Sequence, residues 1–153
     1  MAKVVEEAWA LNSGDTTAIP AANRADGAAT GSFSAIWKYQ VPVGQAHILK
    51  PGHHFSAYGY ELSTAECTSG GCRFKIVIRD QSEGDEKTIY GPALYVASTD
   101  FTDVTKMAKL DLRNELHVEE RFFIVILAYT STAVFDESAS YFRLETVRIR
   151  STI

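Results

Sequence analysis

The unbroken apolar run Phe122-Phe123-Ile124-Val125-Ile126-Leu127-Ala128 restricts the folds open to this chain more than any other stretch. It has the length of a strand, and successive side chains of a strand point to opposite faces. A strand built from it is apolar on both sides and must be covered on both. A layered β structure supplies that cover.

Other segments repeat the strand signal in weaker form. Cys72-Arg73-Phe74-Lys75-Ile76-Val77-Ile78-Arg79 alternates cleanly, with Phe74, Ile76 and Ile78 on one face and Arg73, Lys75 and Arg79 on the other. Residues 33–41 are rich in aromatic and β-branched side chains and stop at Pro42 and Gly44. Residues 46–50 and 54–62 are further short runs, and residues 1–9 read as a short strand with Val4, Ala8 and Trp9 as its apolar contacts. Residues 87–97 continue the pattern across Gly91-Pro92, which marks a bulge, an edge or a division into two strands. In residues 140–150, Phe142 and Leu144 lie on one face and Val147 and Ile149 on the other, a change of phase that demands a bulge or a change of neighbours. Between these strands, Val104, Met107 and Ala108 fit one turn of a short helix in residues 102–110.

These segments fit the length of one domain of 153 residues. The expected fold class is all-β, an antiparallel β-sandwich of jelly-roll type or a barrel, with an extended N-terminal arm and at most one short helix. An immunoglobulin-like sandwich is the nearest competitor, but Cys67 and Cys72 stand too close in sequence to bridge two sheets. No apolar run approaches the roughly 18 residues of a membrane span. The acids Glu6 and Glu7 interrupt the stretch where a secretory signal would be apolar.

Between residues 12 and 36 sixteen of the twenty-five residues are Ala, Gly, Ser or Thr, and neither a helical nor a strand period survives. Connections this long are uncommon in compact domains and are usually functional or disordered. The expected division is therefore residues 1–36 as an N-terminal strand and assembly arm, and residues 37–153 as the sandwich. An arm of small residues buries little against its own domain, which points to a neighbouring subunit as what holds it. On this reading the interface residues are Ile19, Pro20, Phe33 and Trp37 from the arm and its exit, with Phe123, Val125 and Leu127 from the doubly apolar strand.

Candidates for chemistry are weaker. The formal charge of −4 comes with no basic cluster, which disfavours nucleic acid, since phosphate neutralisation supplies most of that affinity. Cys67 and Cys72 flank Thr68-Ser69-Gly70-Gly71, a spacing compatible with a small disulfide across a tight turn or with two free thiols. His47, His53, His54 and His117 read as structural or surface residues, because the neighbours His53 and His54 would point to opposite faces of a strand while zinc needs three or four convergent ligands. The acidic stretch 80–86 reads as a solvated hairpin turn. Its spacing departs from a calcium-binding loop. Asp111, Glu115, Glu119 and Glu120 could form a hydrolytic carboxylate pair only by tertiary proximity, and no nucleophile elbow, phosphate loop or dinucleotide fingerprint occurs. The aromatics Trp9, Trp37, Tyr39, Tyr58, Tyr60, Tyr90 and Tyr95 can pack between sheets or form a stacking platform for sugars.

The expectation is a non-enzymatic structural protein without cofactor or bound metal. It would belong to a symmetric assembly, such as a capsid decoration, cement or other minor capsid component of a phage virion put together in the host cytoplasm. Its partners would be copies of itself or a shell protein, with neither nucleic acid nor membrane involved. A carbohydrate- or receptor-binding module that uses surface aromatics, with a glycan as partner, is the alternative. A small enzyme or metal-binding barrel built on His53, His54 and nearby acids is the third reading.

Overall fold

A computed structural model describes residues 3–18, 34–58, 73–89, 105–110, 112–129 and 141–152. In chain order the strands are β1 (Lys3–Asn12), β2 (Thr17–Ala18), β3 (Ser34–Gln40), β4 (Gln45–Leu49), β5 (His54–Tyr58), β6 (Arg73–Arg79), β7 (Asp85–Ile89), β8 (Thr105–Lys109), β9 (Leu116–Val118), β10 (Phe123–Tyr129) and β11 (Tyr141–Thr152). A 3-10 turn, Ser13–Asp15, joins β1 to β2. All ladders are antiparallel and form two sheets, one of β1, β4, β5, β8, β9 and β11, the other in the order β2-β3-β10-β6-β7.

The first sheet is narrower than its strand count suggests. Val147 and Ile149 of β11 pair with both β1 and β4, and Leu144 pairs with both β1 and β5. β1 must therefore occupy one edge of β11 while β4 and β5 share the other. They follow each other along it, separated by the turn Lys50-Pro51-Gly52-His53, in which the His53 N–H donates to the Lys50 carbonyl at 3.1 Å and Gly52 takes φ +89°. Glycine accepts that left-handed backbone without a Cβ clash. β9 and β8 in turn flank β4 and β5. The change of phase in residues 140–150 is thus met by a change of neighbours, from β5 to β4, while the register with β1 runs unbroken.

One apolar core lies between the sheets. Leu11, Leu49, Phe55, Val118, Phe142 and Leu144 face Ile36, Trp37, Ile76, Ile78, Ile124 and Ile126. Trp37 meets Phe142 across the gap with ring centroids 5.0 Å apart. Strict alternation would send Ile36 and Trp37 to opposite faces, yet both are in this core. The β3 to β10 register steps from Trp37 opposite Ile126 to Ala35 opposite Leu127, so Ile36 is the extra residue of a bulge. The outer face of the second sheet carries a separate buried cluster, Val77, Phe123, Val125 and Leu127. β10 is therefore buried on both faces, as its unbroken apolar sequence demands.

Two expectations change. The short helix allowed in residues 102–110 is overturned for residues 105–109, which form β8 and pair with β5 from His54 opposite Lys109 to Tyr58 opposite Thr105. A single helical turn of apolar spacing carries little weight against five paired residues. The first strand is longer than residues 1–9 and belongs to the sandwich: β1 makes ten pairs with β11, and Leu11 sits in the core at 1% exposure. The boundary between residues 36 and 37 falls inside β3.

Candidate functional site

Of the residues expected at an interface, Trp37, Val125, Leu127 and Phe123 are 2%, 0%, 4% and 9% exposed in the single chain. The cover that their sequence demands is supplied within the chain. Ile19, Pro20, Phe33, Cys67 and Cys72 lie outside the described residues, as do Tyr60, Tyr90, Tyr95 and Asp111. Trp37 and Tyr39 pack between the sheets and are no stacking platform.

The histidines separate by environment. His47 is fully buried on the inner face of β4, with Nδ1 3.0 Å from the Thr146 hydroxyl and Nε2 3.4 Å from the Tyr39 hydroxyl. The Tyr39 ring stands edge-on to it at 5.5 Å. His54 Nδ1 lies 3.1 Å from Glu145 Oε2, and the His54 backbone N–H donates to the same oxygen at 2.8 Å. His53 Nδ1 accepts the Lys50 N–H at 3.1 Å, and His117 faces Glu115 at 3.8 Å. Among the described residues no three His, Cys, Asp or Glu side chains converge as a metal site.

Burial drives the His47 ring from its ordinary 6.5 down to about 4, with the nearby Arg148 charge acting in the same direction. Between these values the unfolded chain takes up a proton that the folded chain refuses. The contribution of His47 to stability is therefore complete above pH 6.5 and lost as the pH falls toward 4. At ~1.4 kcal/mol per unit this is about 2 kcal/mol by pH 5. Urea midpoints measured at pH 7 and pH 5 should show the fall, and His47→Gln should flatten it. An equal slope in both proteins would remove the assignment.

Residues 80–84 close the β6–β7 hairpin as a self-capped turn. Asp80 Oδ1 accepts the N–H groups of Ser82 and Gly84 at 2.8 and 2.9 Å, and the strands pair on either side of it. The solvated-turn expectation holds here. Glu120 Oε2 accepts the Gly44 N–H at 2.9 Å, and Glu115 faces Lys50 at 3.7 Å.

Among the described residues, the β1/β11 pair carries two distinct surface regions. On the outer face of the first sheet, the small Ala8 and Ala10 side chains leave a shallow groove of about 690 Å3, walled by Asn12, His53, Arg143 and Glu145. Its charges are already partnered: Glu145 holds His54 and lies 3.6 Å from Arg143. The His54 backbone N–H, foremost, holds the Glu145 carboxyl below its usual range. On the opposite face, Glu7 Oε1 accepts from Arg148 Nη2 at 2.6 Å and Nε at 2.8 Å and from Arg150 Nε at 2.9 Å, and the Arg148 guanidinium lies 3.6 Å from the centre of the Trp9 ring. Arg148 above all, then Arg150, lowers the Glu7 pKa. This network was invisible in sequence because its members lie some 140 positions apart and meet only through the β1 to β11 register.

No family model matches the chain, and no curated protein matches it. Among solved structures the chain is similar to VP17, a capsid protein of bacteriophage P23-77, at 7% identity and a TM-score of 0.47, with 100% of each chain covered. It is also similar to the VP16-VP17 complex of the two major capsid proteins of bacteriophage P23-77, at 7% identity and a TM-score of 0.43, with 97% of this chain and 100% of that chain covered.

Proposed function

We propose that this chain is a non-enzymatic structural protein of a symmetric assembly, a capsid component of decoration, cement or minor shell type. The observation that carries the reading is the connection between β2 and β3. Thr17 and Ala18 pair with Lys38 and Trp37, so both ends of this hairpin are pinned in the second sheet. Yet fifteen residues, 19–33, stand between positions that a turn of a few residues can join, and most of them are Ala, Gly, Ser or Thr. Such a connection does nothing for strand pairing that a short turn would not do. On this reading its use is contact beyond the chain's own sandwich.

The strand order supports the same reading. With β4 and β5 counted as one position, β8 and β9 as another, and β2 as an added edge, the sheets run first-eighth-third-sixth and second-seventh-fourth-fifth in chain order. We infer that this is a jelly roll, an architecture used by viral capsid and lectin domains. The lectin alternative draws no support from Trp37 or Tyr39, which are packed between the sheets.

Replacing residues 20–33 by Asn-Gly tests the assembly role. The shortened chain is expected to keep its far-UV circular dichroism and its urea midpoint, since loop length costs little in stability, and to lose sedimentation with the particle or extract from which the parent chain is recovered. Co-sedimentation equal to that of the parent would remove the reading.

A further inference from the structure

The alternation of backbone groups along β1 can be fixed from three contacts. The Asn12 N–H donates off the ladder, to Asp15 Oδ2 at 3.1 Å. The Asn12 side-chain amide reaches the Ala10 carbonyl at 3.4 Å, which places that carbonyl on the same side. The Ser151 N–H donates to the Gly44 carbonyl at 3.2 Å, away from β1, which makes Ser151 and its partner Val4 a pair without mutual hydrogen bonds. In an antiparallel ladder such pairs alternate with bonded ones. Val4, Glu6, Ala8 and Ala10 therefore turn their N–H and C=O groups to the side of β1 where, among the described residues, no strand is paired.

An edge of this length is normally blunted by proline, a bulge or inward-pointing charge. β1, Lys-Val-Val-Glu-Glu-Ala-Trp-Ala-Leu-Asn, has no proline and no register shift, its only lysine is the first residue, and its one inward-facing carboxylate, Glu7, is held by Arg148 and Arg150. Val4 is 69% exposed and Glu6 and Ala8 are exposed beside it. Such an edge accepts another extended strand, and its charge pattern selects which.

The geometry points to a second copy of this chain, its β1 paired antiparallel with the first across a two-fold axis through Ala8. A two-fold that continues an antiparallel sheet keeps each face on its own side, so even residues oppose even and the axis passes through a residue. Centring on Glu6 or Glu7 sets a carboxylate against its own copy, which is destabilising. Centring on Trp9 leaves Val4 and Val5 outside the pairing. Centring on Ala8 pairs the strand from Val4 to Asn12, with Glu6 opposite Ala10, Val5 opposite Leu11 and Glu7 opposite Trp9. The open N–H and C=O groups of Glu6, Ala8 and Ala10 are then satisfied. Each Glu7 approaches a Trp9 whose ring carries the Arg148 guanidinium, so opposite charges meet across the axis. The pairing deepens the assembly reading by naming one contact between copies and rests on that reading in taking the chain to be one of several.

Sedimentation equilibrium of the isolated full chain at 1 to 100 μM, as rough working limits for a modest contact, is expected to show a dimer. Ala8→Pro removes an N–H that lies outside the β11 ladder, as edge strands allow, and is expected to weaken the dimer by about tenfold or more, from two lost hydrogen bonds per pair, with unchanged circular dichroism. Should that variant lose its fold, charge gives a second measurement. Ala8→Lys and Ala8→Glu chains are each expected to dimerise more weakly than the parent, and their mixture to form a heterodimer, because only an axis through position 8 sets one against the other. A parent chain that is monomeric throughout, or variants that dimerise like the parent, would overturn the pairing. A monomer that still co-sediments with the particle would overturn it while leaving the assembly reading intact.

Discussion

Phe142→Ala is expected to lower the free energy of unfolding by about 3–5 kcal/mol, the range for removing a large aromatic from a packed core. The side chain is 1% exposed, and its ring lies 5.0 Å from Trp37 of the opposite sheet and 5.8 Å from Phe55 of its own. It therefore links the two layers as well as filling space. Both neighbours are themselves anchored on paired backbone, Trp37 opposite Ile126 and Phe55 opposite Leu144. Domains of this size commonly have 5–15 kcal/mol in total, so the variant should fold with a much lower urea midpoint and an unchanged slope. A loss below about 1 kcal/mol, against that expected range, would mean that the sheets are not locked at this point.

What could be read from sequence follows from which forces act locally. β10 was legible because unbroken apolarity reports directly that both faces of a strand are covered, whereas the alternation of β6 marked it as a strand but hid the burial of Val77 on its outer face. Along β11 the opposite faces of Phe142 and Leu144 and of Val147 and Ile149 left a bulge or a change of neighbours open, and the ladders with β5 and β4 show the change of neighbours. β8 was not, since Val104, Met107 and Ala108 can be drawn on a helix as readily as on a strand, and only pairing with β5 decides. The length of β1 was hidden by its composition. Ala10 and Asn12, beyond the expected strand, look like the start of a small-residue arm, but small side chains are what the outer face of a sheet edge can carry while Trp9 and Leu11 hold the inner one.

The candidate surfaces were less legible than the fold. Phe123, Val125 and Leu127 demand cover, and sequence cannot say whether a partner or the same chain provides it. The structure assigns them to a second apolar cluster within the chain. His47 gives no sequence signal either. Its burial depends on Tyr39 from the second sheet and Thr146 from β11, each placed by a different ladder. The same holds for the single carboxylate of Glu7 shared by Arg148 and Arg150. Polar side chains on alternating positions look solvated until register brings them together.

Deletion of residues 1–12 is expected to abolish folding, the largest effect among the changes considered. The sequence alone suggests that the first 32 residues can be removed with the sandwich intact, because the small-residue stretch looks like an appendage. The β1 to β11 ladder argues otherwise. Removing it takes Leu11 out of the core, at about 2–5 kcal/mol for a buried leucine. It also strips one edge of a twelve-residue strand and removes the Glu7 carboxylate from between two guanidinium groups. These losses, with all ten ladder pairs of β1, fall on a margin of only about 5–15 kcal/mol for a domain of this size. Circular dichroism and amide proton dispersion of the truncated chain should be those of an unfolded or aggregated polypeptide, whereas the chain lacking only residues 20–33 should give the spectra of the parent. A folded chain beginning at residue 13 would make β1 an accessory strand and return it to the arm. Its open edge would then serve attachment alone, with no share in holding the sandwich together.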